Sequence, residues 1–222
     1  MRMKRQEHGF SLLELVVVIV IGSVIAGVAF MTMRDAIRNQ RAERALQDVL
    51  SMTRTARQLA VDKRRVFMLT FSTGPSQMTL TVTPPTNSSG GCSAATSGWP
   101  DTGAAQPTPV IGDYSFDWIS GAPNSATTAP DGLGATQTTP IYFTSTATGG
   151  QSSVCFYPDG SARDSNNQFT SGVVYLAPTK TSETSDIIRL KYMRAMTIFG
   201  PTGRISGWRL NQASSGLQWK MW

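Results

Sequence analysis

The sequence predicts an α+β protein: a long N-terminal α-helix, transmembrane in its first half, packed on an antiparallel β-sandwich-like head. Three observations predict it. Residues 10–33 are almost wholly apolar. Residues 34–62 then repeat apolar side chains at spacings of three and four, the helical period. From Arg65 onward the apolar period falls to two, the period of strands. The chain therefore divides into a short basic segment (1–9), an apolar helix (10–33), its amphipathic continuation (34–65) and a β-rich head (66–222).

The apolar run reads FSLLELVVVIVIGSVIAGVAFMTM, with Glu14 as its only charged residue. About 20 apolar residues in a helix span a bilayer. Arg2, Lys4 and Arg5 precede the run, which keeps the N-terminus cytoplasmic and sends everything after Met33 outside. An ordinary signal peptide also fits a basic start and an apolar stretch. Neither that reading nor a plain anchor explains Glu14, since a carboxylate at that depth costs about 2.5–3.5 kcal/mol on insertion scales.

In the continuation, Ala42, Leu46, Val49, Met52, Ala56, Leu59 and Ala60 form an apolar stripe, while Arg34, Arg38, Arg41 and Arg44 fall largely on another side. No Pro or Gly interrupts residues 28–65. A helix from Phe10 to Asp62 is roughly 80 Å long at 1.5 Å per residue. Its stripe is expected to pack against the head.

In the head, Phe67, Leu69 and Phe71 alternate, then Met78, Leu80 and Val82, with Gly74-Pro75-Ser76 as the turn between them. Further strands are expected at 114–119, 140–146, 153–157, 172–177, 186–193, 194–199 and 205–211. Gly200-Pro201-Thr202-Gly203 reads as a hairpin turn. Residues 84–109 and 120–139 are rich in Pro, Gly, Ser, Thr and Ala and read as long surface loops, where function commonly sits.

Charged residues make up only 15% of the chain, which suits β-structure with long loops and an extracytoplasmic home. The net charge of +6 is segregated. Residues 34–65 hold nine basic and four acidic side chains, residues 66–186 two and eight, and residues 187–222 six and none. The acidic middle thus lies between a basic stalk and a basic C-terminal stretch.

The N-terminal residues carry a family resemblance. Gly9-Phe10-Ser11-Leu12-Leu13-Glu14, after a basic leader and before a long apolar run, resembles the type IV prepilin signature. The resemblance implies that residues 1–9 are a leader, cut between Gly9 and Phe10 by a prepilin peptidase, and that Phe10 is then N-methylated. It implies a single-pass inner-membrane precursor with a periplasmic head, which later joins a pilus or pseudopilus as one subunit in a helical filament or tip complex. Glu14 matches the family's glutamate and would pair with the N-terminal amine of a neighbouring subunit, because a buried charge needs a partner. Many pilins have a helix-kinking proline near the end of the apolar run, and here Ala29-Phe30-Met31-Thr32 has none. Gly22 and Gly27 are the weak points instead.

Head segments narrow the resemblance. Leu59-Ala60-Val61 before Lys63-Arg64-Arg65, Val154-Cys155-Phe156-Tyr157-Pro158-Asp159-Gly160, Arg194-Ala195-Met196-Thr197-Ile198 and Gly203-Arg204-Ile205 are similar to the GspH/FimT group of minor pilins and secretion pseudopilins. That group implies a minor pilin of a type IV pilus, at its tip or priming it. The alternatives are a minor pseudopilin of a type II secretion system and a DNA-binding minor pilin for DNA uptake.

The residues speak against catalysis. Cleavage after Gly9 removes His8, the one histidine, and with it Ser-His and Cys-His nucleophilic pairs. No cofactor or metal site is expected: Asp113, Asp117, Asp131 and Asp159 match no calcium-loop spacing and read as turn aspartates. Cys92 and Cys155 read as a disulfide in an exported chain, with two buried free thiols as the alternative. For DNA, the candidates are Arg189, Lys191, Arg204 and Arg209; Arg189, Lys191 and Arg204 would line one strand face. Gly203-Arg204-Ile205 is followed by Ser206, which leaves the basic DNA-binding motif of some FimT-side members half complete. Trp208 is expected in the core. Trp219 and Trp222 are equally compatible with the core and with an exposed surface.

Overall fold

The computed structural model describes residues 11–73, 76–82, 92, 108–109, 113–144, 152–180, 185–214 and 216–222, with the backbone alone at 28–32, 76–82 and 108–109. The chain forms two compact units, Met1–Gln40 and Arg41–Trp222. Helix α1 (Leu12–Lys63) supplies the described part of the first and the opening element of the second. It ends in a Schellman arrangement: Arg65 N–H donates to Ala60 O (3.2 Å) and Arg64 N–H to Val61 O (3.4 Å). The left-handed position this requires is filled by Arg64, at φ 52°, instead of glycine.

Among the described residues, the head strands form two sheets, and every pairing is antiparallel. Sheet A runs β3 (Thr108–Pro109), β2 (Ser76–Val82), β1 (Phe67–Thr73), β6 (Ser153–Phe156), β7 (Ala162–Arg163). Sheet B runs β11 (Gly216–Met221), β10 (Arg204–Ala213), β9 (Arg194–Phe199), β8 (Gly172–Pro178), β4 (Tyr114–Phe116), and β5 (Ile141–Phe143) also pairs with β8. The β1–β2 hairpin is in register from Phe67↔Val82 to Thr73↔Ser76. The period-two reading of β1 holds, with Phe67, Leu69 and Phe71 buried; for β2 the strand itself is described.

The stripe read from the sequence is the helix's contribution to the main core. Ala42, Leu46, Val49, Ala56 and Ala60 are fully buried, joined by Ala45 and Leu50, with Met52 and Leu59 packed against them. Phe67, Leu69 and Phe71 meet them from sheet A, and Val174, Leu176, Met196 and Ile198 from sheet B. Sheet B is covered on its other face too. Val173, Tyr175, Ala177, Ala195 and Leu210 enter a second cluster with Trp118, Ile119, Leu133 and Trp219. The alternation of β8 residues between the clusters is the period-two pleat, and it leaves Gly172–Ala177 buried throughout. Part of the segment expected to be a surface loop at 120–139 supplies this outer cover.

One expected strand is a helix. Residues 186–193 contain α2 (Asp186–Lys191) rather than a strand. The acid–base spacing explains it: Arg189 Nη1 donates to Asp186 Oδ1 (2.9 Å), a pairing three residues apart that a helix turn brings together. Four described elements were not anticipated: the two-residue strands β3 and β7, strand β11, which closes one edge of sheet B, and a single 3-10 turn at Pro130–Gly132, which carries Asp131 at φ 52°. Cys92 and Cys155 are bonded, with Cα atoms 5.8 Å apart.

Candidate functional site

At the N-terminal end, Leu15 N–H donates to Ser11 O (3.2 Å), closing the first turn of α1 with Glu14 on it. Leu12, Leu13, Val16, Val18, Ile19, Val20, Ile21 and Ile25 are all about half exposed or more. A helix apolar on every side gains stability only from lipid or from other helices. Gly9 and Phe10, the expected cleavage pair, lie outside the described residues, as does the rest of the leader. Among the described residues, no helix is both long and apolar enough to cross a membrane. The apolar run read from the sequence, residues 10–33, includes Phe10 and the side chains of residues 28–32, which lie outside those described.

In the head, the charge segregation of the sequence is cancelled in space. Acidic residues of the middle segment pair with arginines of the stalk and the C-terminal stretch. Asp113 pairs with Arg41, Asp117 with Arg189, and Asp131 with Arg204 (3.1 Å). Glu43 on α1 pairs with Arg194 on β9 (2.9 Å), whose side chain is only 3% exposed. Asp159 pairs within its own segment with Arg163 (2.6 Å). The aspartates read as turn residues are therefore ion-pair partners as well. Partial burial pushes the Asp159 carboxyl up, but donation from the Ser161 hydroxyl and amide and from Arg163 outweighs it, so its pKa is lowered. Asp186 is lowered by its hydrogen bond from Arg189 and by nearby Lys180. Burial raises the phenols of Tyr114 and Tyr175.

The structure corrects the expectation of one basic strand face. Arg189 is not on a strand face: it lies on α2, its side chain is 4% exposed, and it also donates to Pro178 O (2.8 Å). Lys191 lies on the same short helix, with its ammonium 5.4 Å from the Tyr192 ring centre. Arg204 opens β10 beside the hairpin turn, as expected, but is committed to Asp131 and lies over the Phe199 ring. Arg209 is exposed on β10, opposite Lys220 and Arg194 in register. Arg189, Lys191 and Arg204 do not share one strand face.

The sequence reading missed Arg57. It sits on α1 and donates from Nε to Gly160 O (3.1 Å) and from Nη2 to Thr202 O (3.2 Å). Its sequence signal was the position: a basic residue on the helix next to the apolar stripe, with two glycine turns elsewhere to receive it. Trp208 is half-buried and donates to Thr197 Oγ1 (3.0 Å). Trp219 is also half-buried, donating to Pro123 O (2.9 Å), while Trp222 is 54% exposed.

Residues 4–30 match the family described as the prokaryotic N-terminal methylation motif. This is the type IV pilin prepilin signature, and it supports a type IV pilin-like protein. The signature implies processing by prepilin peptidase, methylation, a membrane-anchored N-terminus and assembly with other pilins. No curated protein and no solved structure matches the chain.

Proposed function

We propose that the chain is a minor pilin, a tip or priming subunit of a type IV pilus, and a structural subunit rather than an enzyme. The observation that carries this is the methylation motif at residues 4–30, followed by a two-sheet head whose core is completed by the same N-terminal helix. The GspH/FimT resemblance supports the minor role. Its head segments are not scattered, since Gly160 and Gly203 meet at Arg57, which the helix carries just before Leu59-Ala60-Val61. In the mature chain, with the leader gone, no histidine remains for nucleophilic or acid–base chemistry.

The second reading is a minor pseudopilin of a type II secretion system, favoured by the same head segments. DNA uptake is the weaker reading, because Arg189 and Arg204 are already neutralised by carboxylates.

Two measurements test the proposal. Mass analysis of the native N-terminus should find N-methylated Phe10, and a start near Gly27 would overturn it. Deletion of the gene should reduce surface filaments while leaving export of folded proteins intact. The opposite pattern would move the chain to the secretion machine.

A further inference from the structure

A cleft of about 400 Å³ opens on the outer face of sheet B, between the segment around Asp131 and strands β10 and β11. Trp208, Trp219, Asp131, Gln218, Thr127 and Thr128 line it. Its size falls within the usual range for small-molecule sites, roughly 300–1,000 Å³. We propose that this cleft binds a neutral carbohydrate, with sugar rings stacked on the indoles and hydroxyls bonded to the polar rim. The inference goes beyond the filament role and holds for either machine.

The two indoles are held before any ligand arrives. Trp208 donates its ring N–H to Thr197 Oγ1 (3.0 Å), and Thr197 in turn donates to Asp131 Oδ2 (2.6 Å). Trp219 donates to Pro123 O (2.9 Å) and leans on the Tyr175 ring, with centroids 5.8 Å apart. With the N–H groups used internally, what each ring offers a ligand is carbon surface, which suits the C–H face of a sugar. Fixing the rings in advance lowers the ordering cost of binding.

Asp131 decides the charge of the ligand. Its side chain is 15% exposed, and each oxygen accepts one bond, from Thr197 and from Arg204. A carboxylate accepts about four bonds, so acceptor capacity remains for ligand hydroxyls. Arg204 and this carboxylate are spent on each other, so the pair brings no net positive charge to attract phosphates, and a nucleic-acid strand is disfavoured at the stacking rings. Asp131 adopts φ 52°, a conformation unfavourable for a residue with a Cβ. Such strain is retained where the surroundings enforce it, commonly at binding sites.

The test uses the full chain in lauryldimethylamine oxide micelles, a detergent without a sugar headgroup. Cellotetraose, maltotetraose and the tetramer of N-acetylglucosamine are titrated in turn to about 10 mM, with indole fluorescence and calorimetry as readouts. At least one should give a saturable change. Trp219→Ala should weaken that binding about tenfold or more and Thr127→Ala, on the polar rim, about threefold or more, while Arg209→Gln, outside the cleft, leaves it unchanged. Thr127 is exposed, so that variant decides the matter if Trp219→Ala fails to fold. No saturable response to any of the three sugars would overturn the proposal. So would unchanged affinity in a folded Thr127→Ala variant, or saturable binding of oligothymidine at the cleft in their place.

Discussion

Gly203 lies so close to Gly160 that a Cβ built on it would stand 2.0 Å from the Gly160 carbonyl oxygen. The two glycines sit in turns of different sheets. One follows β6 in sheet A and the other joins β9 to β10 in sheet B. Both have positive φ, 79° and 59°, and Arg57 of α1 bonds the two turns at once. Helix and sheets are therefore tied at one point by backbone contact, where no side chain fits. Gly203→Ala should lower head stability by about 2–4 kcal/mol, through a backbone clash and a disfavoured φ together. Denaturant titration of the variant checks it, and a loss below about 1 kcal/mol would contradict the close approach.

The Arg194–Glu43 pair makes a second prediction. With Arg194 buried and Glu43 a quarter exposed, removing Glu43 takes away the carboxylate that faces a buried guanidinium. Glu43→Ala should cost about 3–5 kcal/mol, and the double change Glu43→Leu with Arg194→Met should recover most of it. Melting curves of the two variants check this. A double variant as unstable as the single one would argue against an electrostatic origin.

Acid should weaken the Asp159 turn. Its folded pKa lies below the ordinary carboxylate value, so its contribution is present above the unfolded pKa of about 3.8 and lost as pH falls through the folded value. Stability of the parent protein should therefore decline more steeply below pH ~4 than that of Asp159→Asn. Parallel curves for the two would remove this carboxylate from the acid response.

Arg64 occupies a left-handed position that glycine adopts freely. Because its side chain is exposed, Arg64→Gly should raise stability by up to about 1 kcal/mol, contrary to the usual effect of glycine at a helix. Thermal unfolding shows the sign directly.

On the proposed filament role, Glu14→Ala should leave membrane insertion intact and peptidase processing complete, since an expensive charge is removed. Incorporation into filaments should fall sharply, because a neighbour's terminal amine loses its partner. Fractionation separates the two steps, and normal incorporation would refute the pairing.

Much of this architecture is legible in periodicity. The helical stripe from Ala42 to Ala60 and the alternation of Phe67, Leu69 and Phe71 name their buried faces, because burial imposes the period of the element. What periodicity cannot give is pairing between distant charges. Arg189 looks like a strand residue beside a basic neighbour until Asp117, 72 positions away, is folded against it. Trp219 was undecidable for the same reason. Its partner is the Pro123 carbonyl in a segment whose composition reads only as loop. Glycine turns are visible in the sequence, but nothing local says that Gly160 and Gly203 meet.

The packing of Gly207 bears on when the head can form during export. Strand β10 runs over Leu46 and Leu50, and a Cβ at Gly207 would come within 2.9 Å of Leu50. The helix that emerges early in synthesis thus depends for its cover on residues made some 160 positions later. On the proposed export of the head, until β9 and β10 have crossed the bilayer the stripe around Leu46 lacks one wall and presents sticky surface to the periplasm. A nascent chain stalled before residue 194 should therefore depend on chaperones or be degraded, so the head's maturation is timed by completion of translocation rather than by emergence of its first element.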